Sequence, residues 1–559
     1  GPLFRGAGDA SYLPSDMMNN FRRIASVFSL VAQQVTLRWA FSTFLSAAGA
    51  AQEDLVAEGA GAQRSHGTVE RLVGICNEDA AQYSGFLPAG PRNSYFFWLA
   101  ESRSAVPSQD PLILWLTGGP GCSSTLAALT ENGPCKVKSR DATGVWHMEQ
   151  RAESWTDAAN VVWVDQPVGV GFSSRPGLAG LVHNETEVGD NMFAFLQSFY
   201  VHFPRFRDVP FFIFGESYGG HYVPAVAARV LQGRTQGIRI PLAGVGIGNG
   251  LVSPLADFYS KPQMARTGGP GGSFEGGIVN KSVFAHMKAA MPTCTDGIHK
   301  CQMSGERDQL QCLCAYMYCT LTEMLPVLRS GRNPYDLRKA CPDRGNPLCY
   351  NETLNTLFMN DPQVQEAFGV HHHMPWAVCN MTVTLEFMLS GDYFRDLRPQ
   401  VVELLAAGVG VLVYSGDDDF MVDWLGSKLW MNALDWPYRV EWAAAEDRSF
   451  YVDGRKRGTV RTAHGLTFVQ VYDAGHLVPM DQPEVALAMV KQFLSRTSPW
   501  NARSEVALVG FGMPGEMASA ASIALLALLA VFLSVGLLAF ATMSARQRRP
   551  KDGFYLLLA

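Results

Sequence analysis

A serine at position 217 stands between two glycines in "FFIFGESYGG", where a run of four apolar residues ends, and beside a carboxylate, Glu216. The G-x-S-x-G form after a strand is the pattern of a nucleophile held at a strand-to-helix corner. Larger side chains two residues to either side would clash there, so Gly215 and Gly219 leave the Ser217 hydroxyl exposed at the carboxyl edge of a sheet. A serine hydroxyl is a weak nucleophile and needs a base, which in turn needs an orienting acid. Further along, "VLVYSGDDDF" offers Asp417, Asp418 and Asp419, and "FVQVYDAGHLVP" offers His476. Each group follows an apolar run, and the order Ser, Asp, His is that of α/β-hydrolases. An acidic triplet by itself is usually a solvated turn, and a strand-end histidine is usually structural. It is their coincidence in order that points to acyl transfer. The oxyanion of such a reaction needs two backbone N–H donors. Tyr218, the residue after the nucleophile, supplies one, and the glycine-rich "WLTGGPGCSS" at 115–124 supplies Gly119 for the other.

These residues must be carried by strands ending at a common edge. "PLILWL" (111–116), "ANVVWVD" (159–165), "PFFIFG" (210–215) and "LAGVGIG" (242–248) are short continuous apolar runs separated by helix-length stretches. That texture predicts an α/β domain with a mostly parallel sheet. It returns at "GVLVYSGD" (410–417) and "LTFVQVYDAGH" (466–476). Between them the chain is glycine-rich and dense in cysteine, as expected of a disulfide-stapled insertion over one sheet. The expected layout is a leader outside the fold at 1–65, a core at 66–255, a lid at 256–385, and the rest of the core at 386–497. A stem at 498–517, a membrane span at 518–543 and a cytosolic tail at 544–559 complete it.

The bulk composition sets the address. In 559 residues the net charge is −6, with 17% charged and 47% hydrophobic residues and no long basic run in the body, so nothing points to nucleic acid. Eleven cysteines, eight of them between Cys294 and Cys379, lack zinc-finger spacing and favour disulfides. The odd number leaves at least one thiol unpaired within the chain. His371-His372-His373 is better explained as a solvated loop than as a metal site. Glycosylation sequons at Asn184, Asn280, Asn351 and Asn380 agree with a lumenal or extracellular body. The uncharged run 518–543 exceeds the roughly 20 residues needed to span a bilayer, and "SARQRRPK" after it puts the tail in the cytosol. "RWAFSTFLSAAGAAQ" (38–52) has the texture of a signal peptide, and "YLLL" (555–558) fits a tyrosine-based sorting signal to endosomes or lysosomes.

Taken together, "WLTGGPGCSS", "ENGP", "DQPVGVGFS", "GESYGGHYVP", "IGNGL", "YSGDDDF" and "AGHLVPMDQP" resemble the serine carboxypeptidase family, in order, from about residue 82 to 493. "SGRNPYDLRKACPDRGNPLCY" resembles its carboxypeptidase Y branch in particular. The resemblance implies an α/β-hydrolase core with a lid, no cofactor, and removal of one residue at a time from peptide C-termini. It implies the triad Ser217, Asp419 and His476, because the family places the acid immediately before the hydrophobic residue. It also implies a substrate-carboxylate site of Thr117, Gly118, Glu131 and Glu216, and a pocket of Tyr335, Tyr350 and Leu477 suited to apolar residues. Two carboxyls brought together cannot both stay ionised cheaply, so Glu131 and Glu216 would share a proton and donate to the substrate carboxylate, which favours acid pH. Implied disulfides are Cys122–Cys379 and Cys341–Cys349. Cys76 and Cys135 fall outside the usual pattern, with a bridge between them one option, and the remaining lid cysteines are expected to pair among themselves. Thr117 departs from the Asn usual in carboxypeptidases and matches the family's acyltransferases, whereas Glu216 matches the carboxypeptidases. Acyl transfer and a non-catalytic protective role are therefore the competing expectations. The oligomeric state is open, a homodimer being one possibility.

Overall fold

The computed structural model describes residues 67–76, 80–91, 93–173, 181–268, 277–304, 308–341, 348–495 and 500. All belong to one compact unit that ends at Arg503. The expected leader, membrane span, tail and sorting signal lie outside the described residues, as does the expected stem apart from Trp500, which is buried against Phe450; among the described residues no helix is long and apolar enough to cross a membrane.

The apolar runs become strands, numbered here along the chain: β1 (Thr68–Arg71), β2 (Gln82–Pro88), β3 (Ser94–Ala100), β4 (Leu112–Thr117), β5 (Cys135–Arg140), β6 (Trp146–Gln150), β7 (Asn160–Val164), β8 (Phe211–Glu216), β9 (Leu242–Gly248), β10 (Arg332–Asn333), β11 (Asp336–Ala340), β12 (Gly410–Gly416), β13 (Arg448–Val452), β14 (Arg455–Ala463) and β15 (Leu466–Val471). Eleven of them form one sheet in the order β1-β2-β3-β7-β4-β8-β9-β12-β15-β14-β13. The six from β7 to β15 run parallel to their neighbours. Every residue of β4, β7, β8 and β12 is buried, because helices cover both faces of the parallel centre. The flanks are antiparallel: β1–β3 on one side, β14 and β13 on the other. This is the α/β-hydrolase layout, and it carries the disulfides the sequence called for.

Helices α1 (Ser124–Thr130), α2 (Glu185–His202) and α3 (Gly219–Gln232) follow β4, β7 and β8. Asn184 caps α2, its side-chain oxygen accepting from the Glu187 amide at 3.0 Å. Core side chains fill both faces. Phe97, Phe195, Phe199 and Phe203 interlock on one, and Trp98, Trp115, Trp155, Trp163 and Phe214 on the other.

The insertion between β9 and β12 is largely helical, with helices at Lys281–Ser304, Gln309–Cys319 and Met381–Ser390 and, among the described residues, only the small β10–β11 ribbon. Its cysteines pair locally as Cys294–Cys319, Cys301–Cys312 and Cys341–Cys349. Two longer bridges, Cys122–Cys379 and Cys76–Cys135, tie it to the core and the core to itself. Cys314 is left as an exposed free thiol.

Candidate active site

The parallel centre brings four strand ends to one edge. Glu216 pairs in register with Gly248, Gly248 with Tyr414, and Gly416 with Val471. The chain therefore leaves β8 at Ser217, β9 at Asn249, β12 at the Asp417–Asp419 run and β15 toward His476, side by side. Ser217 sits in the left-handed region at φ 63°, a conformation costly for a residue with a side chain and fixed here by its neighbours. Its amide donates to Gly248 O at 3.1 Å, and its carbonyl accepts from Gly220 at 2.9 Å and Leu251 at 2.9 Å. A Cβ on Gly215 or Gly219 would lie 2.7 or 2.9 Å from Leu116 O, so the corner closes only with glycine on both sides.

Of the three aspartates, Asp419 faces the imidazole: its Oδ2 lies 2.7 Å from His476 Nδ1, both side chains being buried. Three further donors converge on this carboxylate: the Met421 amide (2.8 Å), the Val422 amide (3.2 Å) and Asn249 Nδ2 (2.8 Å). Asp417 points elsewhere, and Asp418 pairs with Arg338 at 3.3 Å. Burial, first of all, pushes Asp417 up to about 7 and Asp418 up to about 6. His476 Nε2 is buried and has no hydrogen-bond partner among the described residues. Its amide donates to Tyr335 O at 2.7 Å, which ties the histidine loop to the lid.

Asn249 is the residue that sequence reasoning passed over. Besides holding Asp419, its Oδ1 accepts from the Gly416 amide at 3.1 Å, and its own amide donates to Tyr414 O at 2.8 Å. It stitches the ends of β9 and β12 together and aims the acid. "IGNGL" at a strand end was the available signal, and the structure holds its Asn at φ 39°.

The glycine-rich loop lies against the corner. A Cβ on Gly118 would stand 2.3 Å from the Tyr218 amide nitrogen and 2.8 Å from Ser217 Cβ, so only glycine permits this approach. The loop is held from the lid side by Cys122–Cys379, by the Ser123 amide on Val378 O (2.9 Å) and by the Asn380 amide on Gly121 O (2.8 Å). Buried Asp165 holds it from below, accepting from Ser123 Oγ (2.5 Å) and Thr125 Oγ1 (3.1 Å). Thr117 ends β4. Its Oγ1 accepts the Trp115 indole N–H at 2.9 Å, which leaves the hydroxyl proton free to donate elsewhere.

Glu131 caps the C-terminus of α1, so one short segment delivers Thr117, Gly118, Gly119 and Glu131 to the same place. Glu131 and Glu216 are both buried, and a side-chain hydrogen bond joins them. Burial pushes Glu131 up to about 7, against the opposing pull of that hydrogen bond, while burial and then the Glu131 charge hold Glu216 well above the carboxylate range. Arg151 is near enough to Glu131 to pull its pKa down, but its hydrogen bonds go to Leu129 O (2.8 Å) and Gly133 O (3.1 Å). Burial thus raises both carboxyls of the pair, which disfavours ionising the two together.

Tyr335 and Tyr350 lie together on the His476 side, with ring centroids 6.0 Å apart and Tyr335 5.1 Å from the imidazole. Leu477 follows His476 in the chain and is half-buried. The sequons divide. Asn280 and Asn351 are exposed, whereas Asn184 is buried in its cap and Asn380 Nδ2 donates to Gly169 O at 2.8 Å. His371 pairs with Glu70 at 2.7 Å, and His372 and His373 are exposed.

A profile of the serine carboxypeptidase family matches residues 75–496. A serine carboxypeptidase-like protein of Oryza sativa subsp. japonica is 36% identical over 427 residues, 76% of this chain and 94% of the relative. Carboxypeptidase Y homolog A of Phaeosphaeria nodorum is 37% identical over 420 residues, 74% of this chain and 73% of the relative. The crystal structure of Kex1, a prohormone-processing carboxypeptidase from Saccharomyces cerevisiae, superposes with a TM-score of 0.62 at 23% identity, covering 74% of this chain and 90% of that one, and shares the fold. With the core strands, the serine corner and the glycine-rich loop all inside the matched span, the chain belongs to the serine carboxypeptidase family and is an enzyme of the serine carboxypeptidase type.

Proposed function

We propose that the enzyme releases single residues from the free C-terminus of peptides through an acyl-enzyme on Ser217, and that it works best in acid. Ser217 Oγ attacks the carbonyl carbon of the last peptide bond and its proton passes to His476 Nε2. Asp419 holds the tautomer that leaves this nitrogen as the acceptor, consistent with the 2.7 Å contact at Nδ1. The amides of Gly119 and Tyr218 receive the oxyanion. The C–N bond breaks as His476 returns the proton to the departing amino acid, and water then attacks the ester by the same route.

The observation that carries this reading is the buried Glu131–Glu216 pair next to Ser217. A shared proton lets a carboxyl donate to a substrate carboxylate, with Thr117 Oγ1 and Gly118 N–H as companions. Tyr335, Tyr350 and Leu477 support a preference for apolar departing residues. The test is mass spectrometry of a peptide digested at about pH 5. A ladder of single-residue losses, absent with Ser217→Ala and with a C-terminally amidated peptide, is expected, and internal cleavage would overturn the reading.

Thr117 favours a second reading, transfer of an acyl group from an ester to an alcohol. Offering a blocked dipeptide and a glucose ester together decides between them by which is consumed. Residues 518–543 are proposed to anchor the enzyme in an endolysosomal or vacuolar membrane with the catalytic body lumenal, and release into the supernatant by alkaline carbonate would overturn that.

A further inference from the structure

A second pair of buried acids lies on the other side of Ser217. Glu216 precedes the serine and meets Glu131. Tyr218 follows it, and its hydroxyl donates to Asp392 Oδ2 at 3.3 Å. Asp392 opens a short turn after the helix Met381–Ser390 and is buried; its Oδ1 accepts the Glu185 amide at 3.3 Å, the first N–H of α2. The Glu185 side chain is buried too, and neither of its oxygens meets a hydrogen-bond donor group among the described residues. The neighbour it does meet is the Asp392 carboxyl. Other charged or titratable groups close by are Arg395, half-exposed and 3.5 Å from Asp392 Oδ1, with Tyr222 and Tyr218. His221 and Asp396 stand beyond Arg395.

We propose that Glu185 and Asp392 are positioning residues for the reaction: a carboxyl pair sharing one proton that fixes the Tyr218 ring, and through it the backbone N–H facing the oxyanion. The inference rests on Ser217 and Tyr218 acting as proposed above. The ring is a usable handle because it is clamped along its length. It stacks on His221 at 4.3 Å and 14° and on Tyr393 at 5.8 Å and 23°, with Tyr222 and Phe387 against its edges. Asp392 holds the free end. Glu185 does so indirectly, since a buried carboxyl lacking any other donor group can face Asp392 only by carrying the proton between them. Burial, then the neighbouring Asp392, hold Glu185 well above the carboxylate range, and burial pushes Asp392 up to about 6. As pH rises the proton leaves, Arg395 can balance only one of the two charges, and repulsion drives the turn off the start of α2. The Tyr393 stack moves with it. The two pairs therefore act on different constants: Glu131–Glu216 on substrate binding, Glu185–Asp392 on turnover.

The test measures kcat and KM separately for a blocked dipeptide from about pH 5 to 8.5, with thermal melts for each variant. Asp392→Ala is expected to lower kcat about 10- to 100-fold and leave KM within about threefold, with partial recovery in Asp392→Asn. Glu185→Gln keeps a donor that cannot ionise, so its ratio of kcat at pH 8 to kcat at pH 5 should exceed the wild-type ratio about fivefold or more. Tyr218→Phe removes the hydroxyl and leaves both acids in place, and a kcat loss of about three- to tenfold is expected, which covers the case of acid variants that fail to fold. A kcat profile of folded Glu185→Gln that superposes on wild type, or wild-type kcat in Tyr218→Phe, would overturn the pair's role while Ser217-dependent activity stands. Equal rates from wild type and Ser217→Ala would overturn both readings.

Discussion

Glu216, one residue before Ser217, is hydrogen-bonded through its side chain to Glu131; both are buried, and among the described residues neither forms an ion pair, Arg151 acting on Glu131 only at a distance. An exopeptidase would be expected to meet a substrate carboxylate with a positive charge. On the proposed carboxylate-binding role, the attraction would come from a proton, and recognition would depend on pH.

The sign follows from the direction of the shifts. Both acids lie above the ordinary carboxylate range, Glu131 at about 7, so the pair is fully protonated in acid and its first proton leaves as pH rises through neutrality. KM for a peptide with a free C-terminus should be lowest near pH 5 and climb toward tenfold per unit once the proton is lost. An ester or amide of the same peptide should show no such rise. A KM that is flat from about pH 5 to 8 for the free acid would remove the shared-proton account.

Asn249 reaches Asp419 Oδ2 at 2.8 Å and the Gly416 amide at 3.1 Å, both buried. Asn249→Ala should therefore lower kcat about 10- to 100-fold, on the order of 1–3 kcal/mol, with KM little changed. Steady-state kinetics on the folded variant check this. A loss confined to thermal stability would make Asn249 a scaffold residue only.

Thr117 offers one short hydroxyl where a longer amide is usual, and the Trp115 indole N–H takes one of its lone pairs at 2.9 Å. Thr117→Val should raise KM for free-carboxylate peptides about 5- to 20-fold, the worth of one hydrogen bond to a charged group. Trp115→Phe removes the indole donor but leaves the Thr117 hydroxyl, so it should raise KM less, alongside a lower melting temperature from the cavity left in the core. If Thr117→Val leaves KM unchanged, the carboxylate is held without residue 117.

Glycan occupancy should split along exposure. Asn280 and Asn351 are exposed and should carry sugar. Asn184 is 8% exposed and caps α2, and Asn380 Nδ2, the atom that would be modified, is already bonded to Gly169 O. Peptide mapping after enzymatic deglycosylation in heavy-oxygen water would show this directly, and full occupancy at Asn184 or Asn380 would contradict it.

What the sequence determined by itself was the parallel centre of the sheet and the residues at its carboxyl edge. A strand buried on both faces is a continuous apolar run, and a corner or oxyanion loop admits few residue types, so "PFFIF", "GESYG" and "TGGPG" each carry their own structural instruction. The flanking strands were not legible in the same way. β14, "RKRGTVRTA", is charged and only partly buried, and it is a strand because β15 and β13 lie beside it. The three aspartates 417–419 were equivalent as a local pattern; the family resemblance singled out Asp419, and the fold turns it toward His476 while giving Asp418 to Arg338. The pairings Cys294–Cys319 and Cys301–Cys312, the Asn249 bridge and the meeting of Glu185 with Asp392 across 207 residues likewise belong to the tertiary structure. Local residue types specify backbone shape and burial. Which polar groups end up sharing a proton or an acceptor is set by strand order and helix packing, which bring distant segments within 3 Å of one another only once the whole sheet has closed.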